Sequence, residues 1–147
     1  MGRNVYQFFL KDISENYSQV CESFITQGYS VVKQTDTMGI FLEKVLSYGI
    51  IEINLNDYES NYRYSIRIAK PNSEETVAIL LKDIIEIKKQ FPELTLYDIE
   101  VKKSIDLNDE KFLKKNFLKA KEEFLVYFSE TSNKAPVRGD EVFKKQN

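Results

Sequence analysis

Carboxylates are the only side chains in this chain equipped for acid or base catalysis near neutral pH. Its 147 residues include no histidine. That removes the group whose unperturbed pKa lies nearest neutrality. Ser-His-Asp and Cys-His catalysis go with it, as do zinc sites built on Cys and His. Three local carboxylate pairs stand out: Asp98 and Glu100 on one strand face, Glu74 and Glu75 opening a helix, and Asp83 and Glu86 one helical turn apart. A glycosidase needs two carboxylates at a set separation across a cleft, which no local pair reveals. These pairs read instead as a solvated strand face, a favourable helix start and an exposed helix flank, since structural ion networks also group such residues. Magnesium held by scattered carboxylates is the alternative, though no EF-hand spacing supports it.

The remaining candidates are weaker. Cys21 is the only cysteine, so no internal disulfide forms. Its neighbours Val20 and Glu22 make it a buried structural thiol rather than an activated one. Glycines stand at 2, 28, 39, 49 and 139, a spacing that builds neither a Walker loop nor a dinucleotide fingerprint. No cofactor is therefore expected. Arg138-Gly139-Asp140 matches an integrin-binding tripeptide by coincidence, in a chain with no export signal. Lys111, Lys115 and Lys119 form a helical stripe flanked by Asp109, Glu110, Glu122 and Glu123, which reads as a solvated face.

Tyrosines give the one positive signal. Tyr48, Tyr58 and Tyr62 fall in or beside strand-connecting loops, with Asp57 and Glu59 next to them. Tyrosine is enriched at interfaces because it brings large contact area and keeps a polar tip. These five residues are the expected partner-binding set. The competing reading places Tyr62 in the core and has Tyr58 shield a hairpin.

Composition sets the frame for these residues. Hydrophobic residues make up 42% and charged residues 30%, a globular balance at the length of one ordinary domain. A net charge of −2 and a pI near 5.4 speak against nucleic acid as a partner. The apolar run after Met1 is too short for a signal peptide, and Tyr6 stands where a myristoylation motif wants Ser or Thr. No stretch approaches the roughly 20 apolar residues that span a bilayer. A cytoplasmic protein without membrane contact is expected.

The elements follow from hydrophobic period. Val5, Phe9, Ile13, Tyr17, Val20 and Phe24 step by three and four, predicting one N-terminal helix that ends before Gly28. A competing reading makes Val5–Leu10 a strand, with Asp12 capping a shorter helix. Period two then predicts a four-stranded antiparallel meander over Tyr29–Gln34, Ile40–Leu46, Ile50–Asn56 and Tyr62–Ala69. Ser73 caps a heavily buried helix, with Ile84 central in its stripe, that Pro92 ends. Thr95–Ile105 forms a fifth strand, and Asn108 or Asp109 caps a C-terminal helix packed on the one sheet. Matching apolar faces across the last hairpin pairs Ile53 with Ile66, Leu55 with Tyr64, Glu52 with Arg67 and Asn56 with Arg63.

Residues 1–129 are thus expected to form a single α+β domain, and 130–147 a flexible tail dispensable for folding. If the tail docks, Val142 and Phe143 are the residues to do it. This element order is similar to that of several small binding proteins, secretion chaperones and immunity proteins among them, and no motif singles one out. The function expected is a non-catalytic module that binds another protein and occludes its surface. The alternatives are a carboxylate-dependent enzyme and a structural homodimer.

Overall fold

The computed structural model describes residues 4–13, 17–35, 39–55, 64–128 and 135–143. The fold is α+β: three α-helices and a seven-stranded sheet, every strand pair antiparallel. The single N-terminal helix does not form. Val5–Lys11 is strand β1, Asp12 turns the chain with a φ of 63°, and helix α1 spans Tyr17–Thr26. Tyr6, Phe8 and Leu10 are buried on one face of β1, and Val5 is buried on the other. A strand covered on both faces carries apolar residues on both, which blurs its alternation into helix-like spacing. Gly28, at a φ of 97°, ends α1 as expected.

The meander follows as β2 (Ser30–Thr35), β3 (Gly39–Leu46), β4 (Gly49–Leu55) and β5 (Tyr64–Ala69). The predicted register holds: Ile53 faces Ile66, Leu55 faces Tyr64 and Glu52 faces Arg67. Asn56 and Arg63 lie outside the described residues. Helix α2 (Glu75–Gln90) has Glu74 as its N-cap, one residue past the expected Ser73, whose Oγ accepts from the Glu75 N–H at 3.2 Å, and it ends at Phe91, before Pro92.

The fifth strand is a hairpin instead. Thr95–Asp98 (β6) and Lys103–Ser104 (β7) flank a turn in which Asp98 Oδ1 accepts from the N–H groups of Glu100 at 2.9 Å and Val101 at 3.3 Å. Lys102 adopts a φ of 57° there. An aspartate bonding the backbone two and three residues ahead competes with strand extension, so the run breaks at Asp98. Helix α3 (Glu110–Tyr127) starts with Asp109 accepting from the Phe112 N–H at 3.2 Å.

The strand order is β2-β3-β4-β5-β1-β6-β7, which places the first strand of the chain between β5 and β6. One sheet face carries Phe8, Leu42, Ile53 and Ile66 into a core shared with Phe24, Leu80, Ile84 and Phe117 of the helices. On the opposite face lie Val5 and Ala69, paired across β1 and β5. They form a second buried cluster with Phe124, Val137 and Val142. The expectation of a mobile tail therefore fails for residues 135–143. Two valines spaced five apart carry no readable period, yet both are buried.

Candidate functional site

The site lies on the sheet face opposite the helices. Alternation places Glu43, Glu52 and Arg67 there, and register sets Glu43 directly opposite Glu52 across β3 and β4. Like charges in that position repel. Each glutamate has acquired an arginine. Arg67 reaches Glu52 Oε1 at 3.0 Å, while Arg138 clamps both oxygens of Glu43 at 2.8 Å each. The Arg138 hydrogen bonds hold the Glu43 carboxyl below the ordinary glutamate range, against a smaller effect of burial.

Arg138 belongs to a segment that lies against this face through residues 135–143. The Asn72 amide donates to the Val137 carbonyl and accepts from the Val137 N–H, both at 2.9 Å. Asn4 donates to the Gly139 carbonyl, and the Gly139 N–H donates to Glu52 Oε2 at 2.9 Å. Gly139 opens a 3-10 turn, Gly139–Glu141, and is pressed onto β1. A Cβ there would stand 2.8 Å from Val5 Cγ1 and 3.1 Å from Arg67 Cζ. In the Arg138-Gly139-Asp140 tripeptide the arginine is clamped and the glycine buried, while Asp140 is exposed.

Beside this segment a cleft of about 380 Å³ runs to β2. Lys33, Phe41, Asn54, Ser65 and Asp140 help line it. Asn54 Oδ1 is buried there without a hydrogen-bond partner, and Lys33 sits over the Phe41 ring at 5.4 Å. At the sheet edge β2 is exposed along almost its whole length, with a register shift between Val31 and Lys33. Val31, Val32 and nearby Val45 are 50%, 57% and 55% exposed.

The chain matches no protein family, curated protein or solved structure.

Of the expected partner-binding residues, Tyr48 is half-buried in the turn between β3 and β4, its carbonyl accepting from the Ser73 N–H at 3.0 Å. Asp57, Tyr58, Glu59 and Tyr62 lie outside the described residues. The chain enters them from Leu55, at the far end of β4 from Tyr48 and roughly 20 Å away. Leu55 faces Ile40, which faces Gln34, so the chain leaves the sheet there at the end where β2 finishes.

Two carboxylates read as solvated are buried. Asp83 bonds Lys44 at 2.9 Å and the Tyr29 hydroxyl at 3.0 Å on the helix side of the sheet. Asp98 accepts from the Tyr6 hydroxyl at 2.7 Å. Burial pushes the Asp98 carboxyl above its usual range, and the hydrogen bonds from Tyr6, Val101 and Glu100 only partly offset it. All its oxygens are engaged, so the group shapes a turn. Glu75 and Glu86 pair with Lys114 and Lys89, each at 2.8 Å. Cys21 is buried as expected, and burial raises its thiol pKa.

The Asp98 shift makes a pH prediction. A carboxyl whose folded pKa is raised binds its proton in the folded state first, so acidification through that pKa adds stability. Asp98→Asn lacks this gain. The melting-temperature difference, variant minus wild type, should move in favour of the wild type between pH 7 and pH 4.5. A difference that stays constant would show that Asp98 titrates normally.

Proposed function

We propose that this protein is a non-catalytic binding module that covers a partner protein with its open sheet face and the β2 edge, as an immunity protein or a dedicated chaperone does. The observation that carries the reading is β2 itself. Among the described residues it is the edge strand of the sheet, with β3 as its one strand neighbour and three valines at least half exposed around it. A bare edge of this kind is a template for a strand supplied by another chain. Lys33 and the register shift beside it argue against a second copy as that chain. A two-fold antiparallel pairing with its axis at Lys33 would set the two Lys33 side chains opposite each other, and like charges there destabilise.

The carboxylate-dependent enzyme is disfavoured by the same face. Its two glutamates are both paired with arginine, and the lowered pKa of Glu43 is the opposite of what a general acid needs at neutral pH.

The test is a Val31→Lys/Val32→Lys double variant. Both side chains are exposed, so stability should stay within about 1 kcal/mol of wild type. Protein captured from the native cell by tagged wild type, and seen by mass spectrometry, should fall at least tenfold on the variant. Equal capture by both would overturn the reading.

A further inference from the structure

We infer that the open sheet face is a peptide groove with residues 137–142, Val-Arg-Gly-Asp-Glu-Val, as its resident ligand. A partner segment of the pattern apolar-Arg-Gly-any-Glu-apolar takes its place. This rests on the protein-binding reading and names what the site recognises.

The contacts have the form of sequence-specific peptide recognition. Groove side chains satisfy the segment's backbone: Asn72 takes both polar groups of Val137, Asn4 the carbonyl of Gly139, and Glu52 its N–H. Three side-chain positions are read as well. Val137 and Val142 fill the apolar pocket formed with Val5, Ala69 and Phe124, and Arg138 meets Glu43 through two parallel hydrogen bonds. Bidentate pairing of this kind selects arginine over lysine. Glycine is required at 139 because Val5 stands where a Cβ would go. Glu141 accepts from the Arg138 N–H at 2.9 Å, holding the segment's own turn.

The groove is longer than its resident. The cleft continues past Arg138 and Asp140 to Lys33. A partner chain running on toward β2 can supply a carboxylate for Lys33 and further backbone contacts along the cleft. These contacts are what would let it displace a segment that is covalently attached.

The probe is a fluorescein-labelled peptide of residues 135–143, read by anisotropy against the full-length chain. Val142→Asp puts a carboxylate in the apolar pocket and frees the groove. That variant should bind the peptide saturably, and wild type at least tenfold more weakly. Adding Glu43→Arg should lower affinity at least tenfold, and a peptide carrying Arg138→Glu should restore it. A variant that melts cooperatively yet ignores the peptide, or binds it regardless of charge at position 43, overturns the inference. Gly139→Ala serves in the same assay if Val142→Asp does not fold. Failure of both to fold would make the segment an inseparable part of the core and overturn the inference equally. The β2 variant and the peptide assay probe different residues, so either reading can fail alone.

Discussion

A chain ending at Lys134 is expected to melt roughly 10 °C below the full-length protein, a loss on the order of 3 kcal/mol at this size. Burying Val137 and Val142 contributes about 3–6 kcal/mol in transfer terms. Ordering the segment takes back a large part of that, because each residue fixed costs about 1–2 kcal/mol. Deletion also has a cost of its own. Asn72 loses both hydrogen bonds to Val137, each contributing about 0.5–1.5 kcal/mol net of the water that replaces it. Glu43 and Glu52 would then face each other without Arg138. Thermal melts of the two chains at equal concentration decide the matter. A shift under about 3 °C would mean the segment adds almost nothing to the fold, since that is less than one kilocalorie.

Asp83→Ala should cost about 3–5 kcal/mol, the loss seen when one partner of a buried ion pair is removed. Lys44 Nζ has two acceptors, Asp83 Oδ2 at 2.9 Å and the Gln27 carbonyl at 2.8 Å. The same Asp83 oxygen also accepts from the Tyr29 hydroxyl, whose pKa burial pushes well above its ordinary value. Alanine therefore strands a part-buried ammonium and a buried phenol together, at the meeting of α1, α2 and β3. Removing both charges avoids leaving either one unpaired. Asp83→Leu with Lys44→Met should recover most of the loss, since apolar replacements of a buried pair are often neutral or better. Urea titrations with an unchanged slope measure this. A single-variant loss below one kilocalorie would place the pair in effectively open solvent.

What could be read in the sequence were the elements whose cause is local. The alternation of Ile51, Ile53 and Leu55 against Tyr64, Ile66 and Ile68 fixed a register, and Glu52 opposite Arg67 chose between two candidates. The α2 stripe, its Ser73 start and its stop before Pro92 are equally local. β1 was misread because Val5 is apolar for a reason more than a hundred residues away: the 135–143 segment covers it. The helical steps through Val5, Phe9 and Ile13 ignored Tyr6, Phe8 and Leu10, which form the buried face. Part of the site was within reach. The Ser47-Tyr48 turn fixes the β3–β4 pairing, and that pairing opposes Glu43 to Glu52, a conflict that calls for a cation from elsewhere. That Arg138 answers it could not be read, since its neighbours in sequence show no period. Asp83 and Asp98 read as solvated in the sequence because carboxylates usually are. Their burial depends on Lys44 and Tyr6, distant partners that spacing along the chain does not reveal.

The position of β1 also bears on the order in which the protein assembles as it is synthesised. The first strand made has no neighbour until residues 64–69 emerge to pair with it, and its second neighbour is Thr95–Asp98. The β2–β5 meander, whose neighbours follow one another in sequence, can zip up while Val5–Lys11 still waits unpaired. Contacts of such sequence separation form late and slowly. Until they close, the sheet has an unprotected edge at β5 and an apolar strand in solution, the two ingredients of misassembly during synthesis.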